Sequence, residues 1–227
     1  MNITIATTVK DAGWFLERTL PCWEWADRIV AVDNGSSDGT LDLLHQYKAE
    51  VHHYDTPMKG NEWKVRKVLY ELAMLRSDWV LWLDADQILA SDPRKHLKEP
   101  AVRFRVFDMW SETTYRDDAW WKGHVKAWWW GLYAPAFEGL DAKWAERGWH
   151  SGHIPANIES LSYEMPLECS VLHYAYFTEE LRAKKQALYA ELDPHLSPKE
   201  QFHAKTIGWK ARQVELPFTP EYSLAQD

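Results

Sequence analysis

Five consecutive apolar residues run directly into two carboxylates at Trp79-Val80-Leu81-Trp82-Leu83-Asp84-Ala85-Asp86. A short run without a polar face is typical of a strand that a sheet buries on both sides. The two acids then stand at the carboxyl end of the strand, where open α/β sheets bind ligands. The segment therefore predicts both a buried central strand and a polar site at its end.

Asp84 and Asp86 are two residues apart, so in extended backbone their side chains point the same way. Two carboxylates on one side repel each other unless a cation lies between them. The spacing therefore predicts a hard divalent ion, which would bridge these acids to the phosphates of a substrate. Taken alone, so short a motif more often marks a strand end with two solvated acids.

Strand-like and helix-like segments alternate before this motif. Together with it, they predict an α/β fold in which helices flank a mostly parallel sheet with right-handed crossovers. Pro21 should kink or break the first helix, and Ser37 or Asp38 should cap the second. Strands are expected near residues 3–9, 28–33, 50–54 and 79–84, and helices over 14–25, 40–48 and 62–75.

The alternation ends after Asp86. Residues 101–107 alternate in polarity and predict a half-exposed strand, and residues 170–174 predict another. A capped helix should run from Thr178 to about residue 192, and a shorter one over 198–206, before a tail with Pro217 and Pro220 that is expected to be disordered. We expect an α/β half over 1–110 and an aromatic-rich half over 111–227, packed as one domain.

Length and composition are those of an ordinary globular protein. The chain has 227 residues, of which 46% are hydrophobic and 26% charged, enough for a sizeable core. The net charge of −8 argues against nucleic acid as a partner, because such proteins usually present a basic face. The 15 tryptophans serve either core packing or sugar binding.

Cys22 and Cys169 are the two cysteines, which suits a reducing compartment and excludes a zinc-binding spacing. The sequence starts without a basic and apolar leader and has no apolar run of the length that spans a bilayer. We therefore expect a cytoplasmic protein without a transmembrane segment.

Positive charge lies near the start of the predicted helix 62–75, at Lys64, Arg66 and Lys67. Such charge opposes the helix dipole unless an anion binds there, as anions often do at helix N-termini. The alternative is a solvated basic face, and charge patterning alone does not separate the two.

Three strand ends together resemble a known family. They are Thr8-Val9-Lys10-Asp11, then Val32-Asp33-Asn34-Gly35-Ser36-Ser37-Asp38-Gly39-Thr40, then Leu83-Asp84-Ala85-Asp86. In this order and spacing they resemble the nucleotide-sugar domain of the GT-A (Rossmann-like) glycosyltransferases, family 2. The second segment is similar to the family motif V-D-x-G-S-x-D-G-T along its whole length. The resemblance covers residues 3 to about 90, with weaker support to about 192.

The resemblance implies a metal-dependent transfer of a sugar from a nucleoside diphosphate, with UDP the expected nucleotide and Mn²⁺ or Mg²⁺ the expected cofactor. In the family an acid such as Asp33 contacts the base or ribose. The D-x-D motif contacts the ribose and the metal, with Asp86 the expected direct ligand and Asp84 beside it. The segment after Val171 is similar to one in which a histidine completes the metal site, here His173, and a lysine, here Lys185, approaches the diphosphate. The remaining donor-binding residues expected are Thr8, Val9, Asp11, Asn34, Lys64, Arg66 and Ala85.

The acceptor side departs from the family. Common members carry an E-D or H-E pair as general base, whereas this chain has His150-Ser151 and no E-D pair. An inverting transfer needs a base within hydrogen-bond reach of the acceptor hydroxyl. Asp118 and His150 are candidates and Glu138 a weaker one, so inversion or retention stays open. Residues 120–130 and 150–155 are expected to border the acceptor, which could be a glycan, a protein or a lipid-linked molecule.

Two other functions remain open. A sugar-nucleotide nucleotidyltransferase of similar fold would need a loop rich in glycine and arginine after the first strand, but Lys10-Asp11-Ala12-Gly13-Trp14 has one glycine. A non-catalytic carbohydrate-binding protein would use the tryptophans but has no use for clustered acids. Nucleotide binding with and without Mn²⁺ would separate the glycosyltransferase from the carbohydrate-binding protein.

Overall fold

A sheet with parallel strands at its centre organises the molecule. The computed structural model describes residues 1–58, 60–98, 101–117, 130–133, 143–144, 146, 157, 162–192 and 212–224. Within them, the strands are β1 Ile3–Val9, β2 Arg28–Asp33, β3 Glu50–His53, β4 Trp79–Trp82, β5 Gln87–Leu89, β6 Ala101–Phe104, β7 Val106–Asp108, β8 Thr114–Arg116, β9 Trp130–Tyr133, β10 Tyr163–Glu164, β11 Val171–His173 and β12 Gln213–Glu215.

The central sheet has the order β10-β6-β9-β4-β1-β2-β3 among the described residues. β4, β1, β2 and β3 are parallel neighbours, whereas β9 runs antiparallel to both β4 and β6. The predicted α/β fold with a mostly parallel sheet is thus confirmed. The third and fourth strands end at His53 and Trp82, slightly before the predicted positions.

Both faces of the central sheet are buried, which explains its continuous apolar strands. In β4, Trp79 and Leu81 belong to one core cluster, together with Ile3, Ile5 and Leu16. Val80 and Trp82 belong to a second cluster, with Val65 and Leu69. Because alternate residues of a strand project to opposite faces, a strand between two helical layers needs apolar residues at every position.

The helices are α1 Gly13–Thr19, α2 Thr40–Gln46, α3 Glu62–Met74 and α4 Glu179–Leu192 among the described residues. α1 continues as a 3₁₀ helix over Leu20–Trp23, so the break predicted at Pro21 is confirmed. Asp38, rather than Ser37, accepts the backbone N–H of Thr40 at 2.9 Å. Thr178 accepts the N–H of Leu181 at 3.1 Å, as expected of a residue that caps α4.

The half-exposed strand predicted over residues 101–107 is wrong. The backbone forms two strands there, interrupted at Arg105: β6 joins the central sheet, and β7 joins a three-stranded sheet of order β5-β11-β7. Most of these side chains are buried, because each short strand packs in a different sheet. β10, over Tyr163–Glu164, pairs in parallel with β6 at the edge of the central sheet.

The disorder predicted for the tail is also wrong for residues 212–224. β12 pairs antiparallel with β8, and the N–H of Tyr222 donates to the carbonyl of Ala90 at 3.1 Å. Apolar side chains anchor this segment on the main core, namely Val214, Leu216, Phe218, Tyr222 and Leu224. The helix predicted over 198–206 lies outside the described residues.

The main core cluster contains residues from both predicted halves, among them Ile3, Met109, Tyr115, Met165 and Val171. The division of the chain into halves over 1–110 and 111–227 stays a prediction. In the described part of the chain, helices fall short of the length and apolarity that crossing a membrane requires.

Candidate functional site

Polar loops follow three parallel strands at one edge of the central sheet. β1 runs into Asp11, β2 ends in Asp33, and β4 is followed by Asp84 and Asp86. In the register of β1 and β2, Val9 is opposite Asp33. Carboxyl ends of adjacent parallel strands meet at one sheet edge, so the predicted donor-binding segments converge there.

The carboxylate of Asp33 is bound by backbone groups of the loop that follows it. Its carboxylate accepts the backbone N–H groups of Gly35 and Ser36, each at 3.1 Å, and lies 3.1 Å from Nδ1 of His53. Burial alone would raise the pKa of Asp33, but the hydrogen bonds from Ser36, Gly35 and His53 outweigh it and lower the pKa. Asp33 is only 1% exposed, so the protein encloses this carboxylate almost completely.

The conformation of that loop explains its first glycine. Gly35 has a φ of +86°, a region that side chains with a Cβ rarely adopt. This turn directs the N–H groups of residues 35 and 36 back onto Asp33. The D-x-G-S part of the motif therefore supplies a carboxylate and the loop whose N–H groups bind it.

The D-G-T part of the motif braces this loop against the one after β1. Asp38 accepts the N–H of Gly13 at 3.1 Å, and the hydroxyl of Thr40 accepts the N–H of Ala12 at 2.8 Å. Asp11, which has a φ of +48°, accepts the N–H of Ser37 at 2.7 Å. Asp11 and Asp38 thus fix the relative positions of two loops at the predicted nucleotide side.

Asn34 uses its amide to hold residues 54–58. Its Nδ2 donates to the carbonyls of Tyr54 and Thr56 at 2.8 and 2.7 Å, and its Oδ1 accepts the N–H of Met58 at 2.9 Å. These contacts give Asn34 a loop-positioning role next to Asp33. Of the other predicted donor residues on β1, Thr8 is partly exposed and the side chain of Val9 is buried in the core.

Arg66 is buried, with 4% exposure, and its charge is balanced by Glu62. Its Nε and Nη2 donate to Oε1 of Glu62 at 3.0 and 2.7 Å, while Nη2 lies 3.8 Å from Oδ1 of Asp84. Lys64 instead is exposed, and its Nζ is 5.7 Å from the ring centroid of Trp63. The basic start of α3 therefore combines one buried ion pair beside the D-x-D motif with two surface lysines, Lys64 and Lys67.

Hydrogen bonds fix the turn that carries the D-x-D motif. The N–H of Asp84 donates to Oε1 of Gln87 at 3.0 Å, and the carbonyl of Ala85 accepts the hydroxyl of Thr19 at 2.8 Å. The N–H of Tyr174 donates to the carbonyl of Asp86 at 2.8 Å. The last bond brings the segment that contains His173 against the turn.

Asp86, His173 and Asp108 form a chain of charged side chains. Nε2 of His173 lies 3.4 Å from Oδ2 of Asp86, and Nδ1 lies 2.6 Å from Oδ1 of Asp108. The three-stranded sheet explains the contact of His173 with Asp108, because β11 lies between β5 and β7 and His173 is opposite Asp108. The structure therefore brings together Asp86 and His173, as predicted, and adds Asp108, which the sequence reasoning missed.

The protonation of His173 follows from these neighbours. Burial alone would lower its pKa, but the nearby carboxylates of Asp86 and Asp108 outweigh burial and raise the pKa to about 10. In this state an imidazolium balances two carboxylates, one of them 5% and the other 3% exposed. A divalent cation next to Asp86 could take over that balancing role if His173 gave up its Nε2 proton.

The donor set fits Mn²⁺ or Mg²⁺. Asp86 offers a carboxylate and His173 an imidazole, a combination suited to manganese-type ions. Asp108 accepts from the other ring nitrogen, as outer carboxylates commonly do for metal-bound histidines. Among the described residues, no group of three His, Cys, Asp or Glu side chains could enclose an ion, so a substrate and water would complete the coordination.

Other predicted site residues lie outside the described residues. These are Asp118, Glu138, His150, residues 120–129 and residues 150–155; residue 130 and Lys185 are described in their backbone only. Trp23, Trp79 and Trp82 are buried in the core, so these three tryptophans serve packing. The acceptor-side assignments stay predictions.

One family model matches the sequence. It is described as Glycosyl transferase family 2 and matches residues 21–145, which is more than half of the 227 residues. The matched range includes the Asp33–Thr40 motif and the D-x-D motif. The comparison with curated proteins gives no match.

Solved structures share the fold. The crystal structure of S. aureus TarS has a TM-score of 0.55 and 15% identity, covering 91% of this chain and 46% of that chain. The structure of S. aureus TarS 1-349 has a TM-score of 0.54 and 15% identity, covering 89% and 68%. The chain thus spans about half the length of the full TarS chain. At this identity the likeness shows the fold alone, and it confirms the predicted GT-A arrangement.

A third structure is glucosyl-3-phosphoglycerate synthase from Mycobacterium tuberculosis in complex with Mn²⁺, UDP and glucosyl-3-phosphoglycerate. It has 18% identity and a TM-score of 0.31, covering 38% of this chain and 34% of that chain. A TM-score of this size carries no structural argument.

Proposed function

The chain belongs to glycosyl transferase family 2, and we propose that it moves a sugar from a UDP-linked donor to an acceptor hydroxyl with the help of Mn²⁺ or Mg²⁺. The observation that carries the proposal is the contact of Asp86 with His173, 3.4 Å apart, immediately after the central strand of the sheet. The two residues are 87 positions apart in the sequence, and the fold brings them together at the edge where Asp33 also lies.

The nucleotide end of the donor is assigned to the loops after β1 and β2. Asp33 would accept a hydrogen bond from the base or ribose, and its lowered pKa keeps it ionised for this task. Asp11, Asp38 and Asn34 would act by holding these loops, given their hydrogen bonds to the backbone. The choice of UDP rests on analogy within the family.

The D-x-D motif is assigned to the ribose and the metal. Asp84 would contact the ribose, with Arg66 at 3.8 Å helping to position its carboxylate. Asp86 and His173 would hold the ion, and Asp108 would orient His173 through Nδ1. The ion, when bound, supplies Lewis-acid stabilisation of the charge on the departing diphosphate.

The acceptor side rests on residues outside the described ranges. Asp118 or His150 would take the proton of the acceptor hydroxyl, and Lys185 would approach the diphosphate. A glycan, a protein or a lipid-linked molecule could supply the hydroxyl. We also keep the division into a donor half over 1–110 and an acceptor half over 111–227 as part of the proposal, and a cytoplasmic location as its setting.

Calorimetry of nucleotide binding tests the proposal. UDP, CDP, GDP and ADP are titrated into the protein with Mn²⁺ and with EDTA, and UDP should bind most tightly and only weakly in EDTA. Asp86→Asn removes a charge without changing shape and should abolish the effect of Mn²⁺. Asp42→Asn, at an exposed position of α2, is the matched control and should behave as wild type. An affinity for UDP that is the same with Mn²⁺ and with EDTA would show that the metal takes no part in nucleotide binding. The absence of nucleotide binding would favour a carbohydrate-binding protein.

A further inference from the structure

Arg182 of α4 is stacked on a tryptophan close to the Asp86–His173 pair. Its guanidinium carbon lies 4.1 Å from the ring centroid of Trp110, and its Nη1 donates to the carbonyl of Tyr176 at 2.7 Å. In the part of the chain that the structure describes, no carboxylate forms an ion pair with Arg182, and its Nε and Nη2 have no hydrogen-bond acceptor. The partly exposed guanidinium of Arg182 is thus held in one orientation, and the N–H groups of Nε and Nη2 can donate to a ligand.

The sheet places this stack on the same face as the candidate metal ligands. Met109 bridges Tyr115 in antiparallel fashion, so Asp108 and Trp110 lie opposite Arg116 and Thr114. Residues opposite one another on paired strands project to the same face, as do residues two apart on one strand. Asp108, Trp110 and Arg116 therefore share a face, and on it Asp108 bonds to His173.

Two further contacts join Arg182 to that site. The ring of Tyr176, whose carbonyl holds Arg182, packs edge-on against His173 with centroids 6.0 Å apart. The guanidinium carbon of Arg116 lies 5.6 Å from the centroid of Trp110. Burial and the charge of Arg116 lower the pKa of Arg182 against the opposing effect of Glu179. Both guanidinium groups thus lie against the ring of Trp110, two residues along the chain from Asp108.

α4 directs two cations to different places. Nζ of Lys184 lies 4.6 Å from the ring centroid of Trp14, and Trp14 donates through Nε1 to the carbonyl of Asp11 at 3.1 Å. Residues two apart on a helix do not share a direction. Lys184 therefore points to the loop after β1, on the nucleotide side, whereas Arg182 points to the hairpin of β7 and β8.

We infer that Arg182, stacked on Trp110, is a subsite for an anionic group of the acceptor, with a phosphate ester as the ligand chemistry. This inference rests on the proposed function, because it takes the loops after β1 and β2 as the donor side. A guanidinium presents parallel donors that match two oxygens of a phosphate, and stacking on an aromatic ring fixes its plane. The acceptor would then carry a phosphate near the hydroxyl that receives the sugar.

The experiment uses glycerol 3-phosphate as the probe and glycerol as its neutral counterpart. UDP and Mg²⁺ are first bound to saturation, so that the donor's diphosphate position is filled, and each probe is then titrated by calorimetry. Wild type should bind glycerol 3-phosphate and not glycerol. Arg182→Ala should weaken this binding by at least about tenfold, the value of one charge-assisted hydrogen bond. Arg182→Lys should fall between them, since it keeps the charge without the planar fork.

Lys184→Ala is the control on the same helix and should bind the probe as wild type does. Wild-type affinity in Arg182→Ala, equal binding of glycerol, or loss of probe binding once UDP and Mg²⁺ saturate the protein would each overturn the inference. The last result would mean that the phosphate had occupied the donor's place. If UDP itself does not bind, the proposed function fails, whereas probe binding that depends on Arg182 in the nucleotide-free protein would still support an anion subsite.

Discussion

Asp108 should control metal affinity through His173, although it would not touch the metal. Its Oδ1 lies 2.6 Å from Nδ1 of His173, and the residue is only 3% exposed, so few other groups could replace the contact. Replacement of such outer carboxylates typically costs 10–100-fold in metal affinity. We therefore expect Asp108→Ala to weaken the binding of Mn²⁺ in the presence of UDP by roughly that factor.

The assay is a Mn²⁺ titration at saturating UDP, followed by the electron paramagnetic resonance signal of free Mn²⁺. Asp108→Asn separates charge from geometry, because an amide oxygen can still accept from Nδ1 of His173. It should therefore lose less affinity than Asp108→Ala. Asp92→Asn is the control, since Asp92 pairs with Arg94 at 2.7 Å and has no contact with His173. If Asp108→Ala lowers the melting temperature but binds Mn²⁺ as wild type does, Asp108 does not act on the metal through His173 and the reasoning is refuted.

Three further predictions concern stability. The pKa of His173 is raised from the ordinary histidine value of about 6.5 to about 10, so its contribution to stability is complete below about pH 6.5 and is lost as the pH rises towards 10. In EDTA, wild type should lose more stability than His173→Gln between these pH values, and parallel curves would contradict this. Asp33→Ala should lower the free energy of unfolding by about 1–3 kcal/mol, because the N–H groups of Gly35 and Ser36 lose their acceptor. An unchanged midpoint of urea unfolding would show that the carboxylate of Asp33 does not stabilise the loop. Arg66→Met should lower the free energy of unfolding by about 3–5 kcal/mol, because it removes the guanidinium that donates two hydrogen bonds to the buried carboxylate of Glu62. Adding Glu62→Gln should recover part of the loss, and no recovery in the double variant would exclude that cause.

The central sheet could be predicted because both of its faces are buried. Burial on two faces requires continuous apolar runs, and β4 with its two following acids is such a run. The Asp33–Thr40 motif could be predicted equally well, since local hydrogen bonds within and next to one loop account for most of its residues. Sequence reasoning assigned Asp33 and Asn34 to the ligand alone, however, and the structure shows that backbone groups use both side chains.

Contacts between distant segments could not be predicted in the same way. Asp108 and His173 are 65 residues apart, and they meet only because β6 and β7 separate at Arg105 and enter different sheets. An acid directly after the apolar residues of 101–107 was the available signal, and the assignment of one continuous strand obscured it. The tail was misjudged because its two prolines suggested disorder, whereas its apolar side chains find a core assembled from other parts of the chain.

The release of UDP from UDP-sugars tests the central claim most directly. A panel of UDP-sugars is incubated with the protein in Mn²⁺ or in EDTA, and free UDP is measured for wild type, Asp86→Asn and the exposed control Asp42→Asn. The account predicts release by wild type and by Asp42→Asn in Mn²⁺, and none in EDTA or in Asp86→Asn. Release that continues equally in EDTA, or in Asp86→Asn, would contradict a metal-dependent transfer at the Asp86–His173 site.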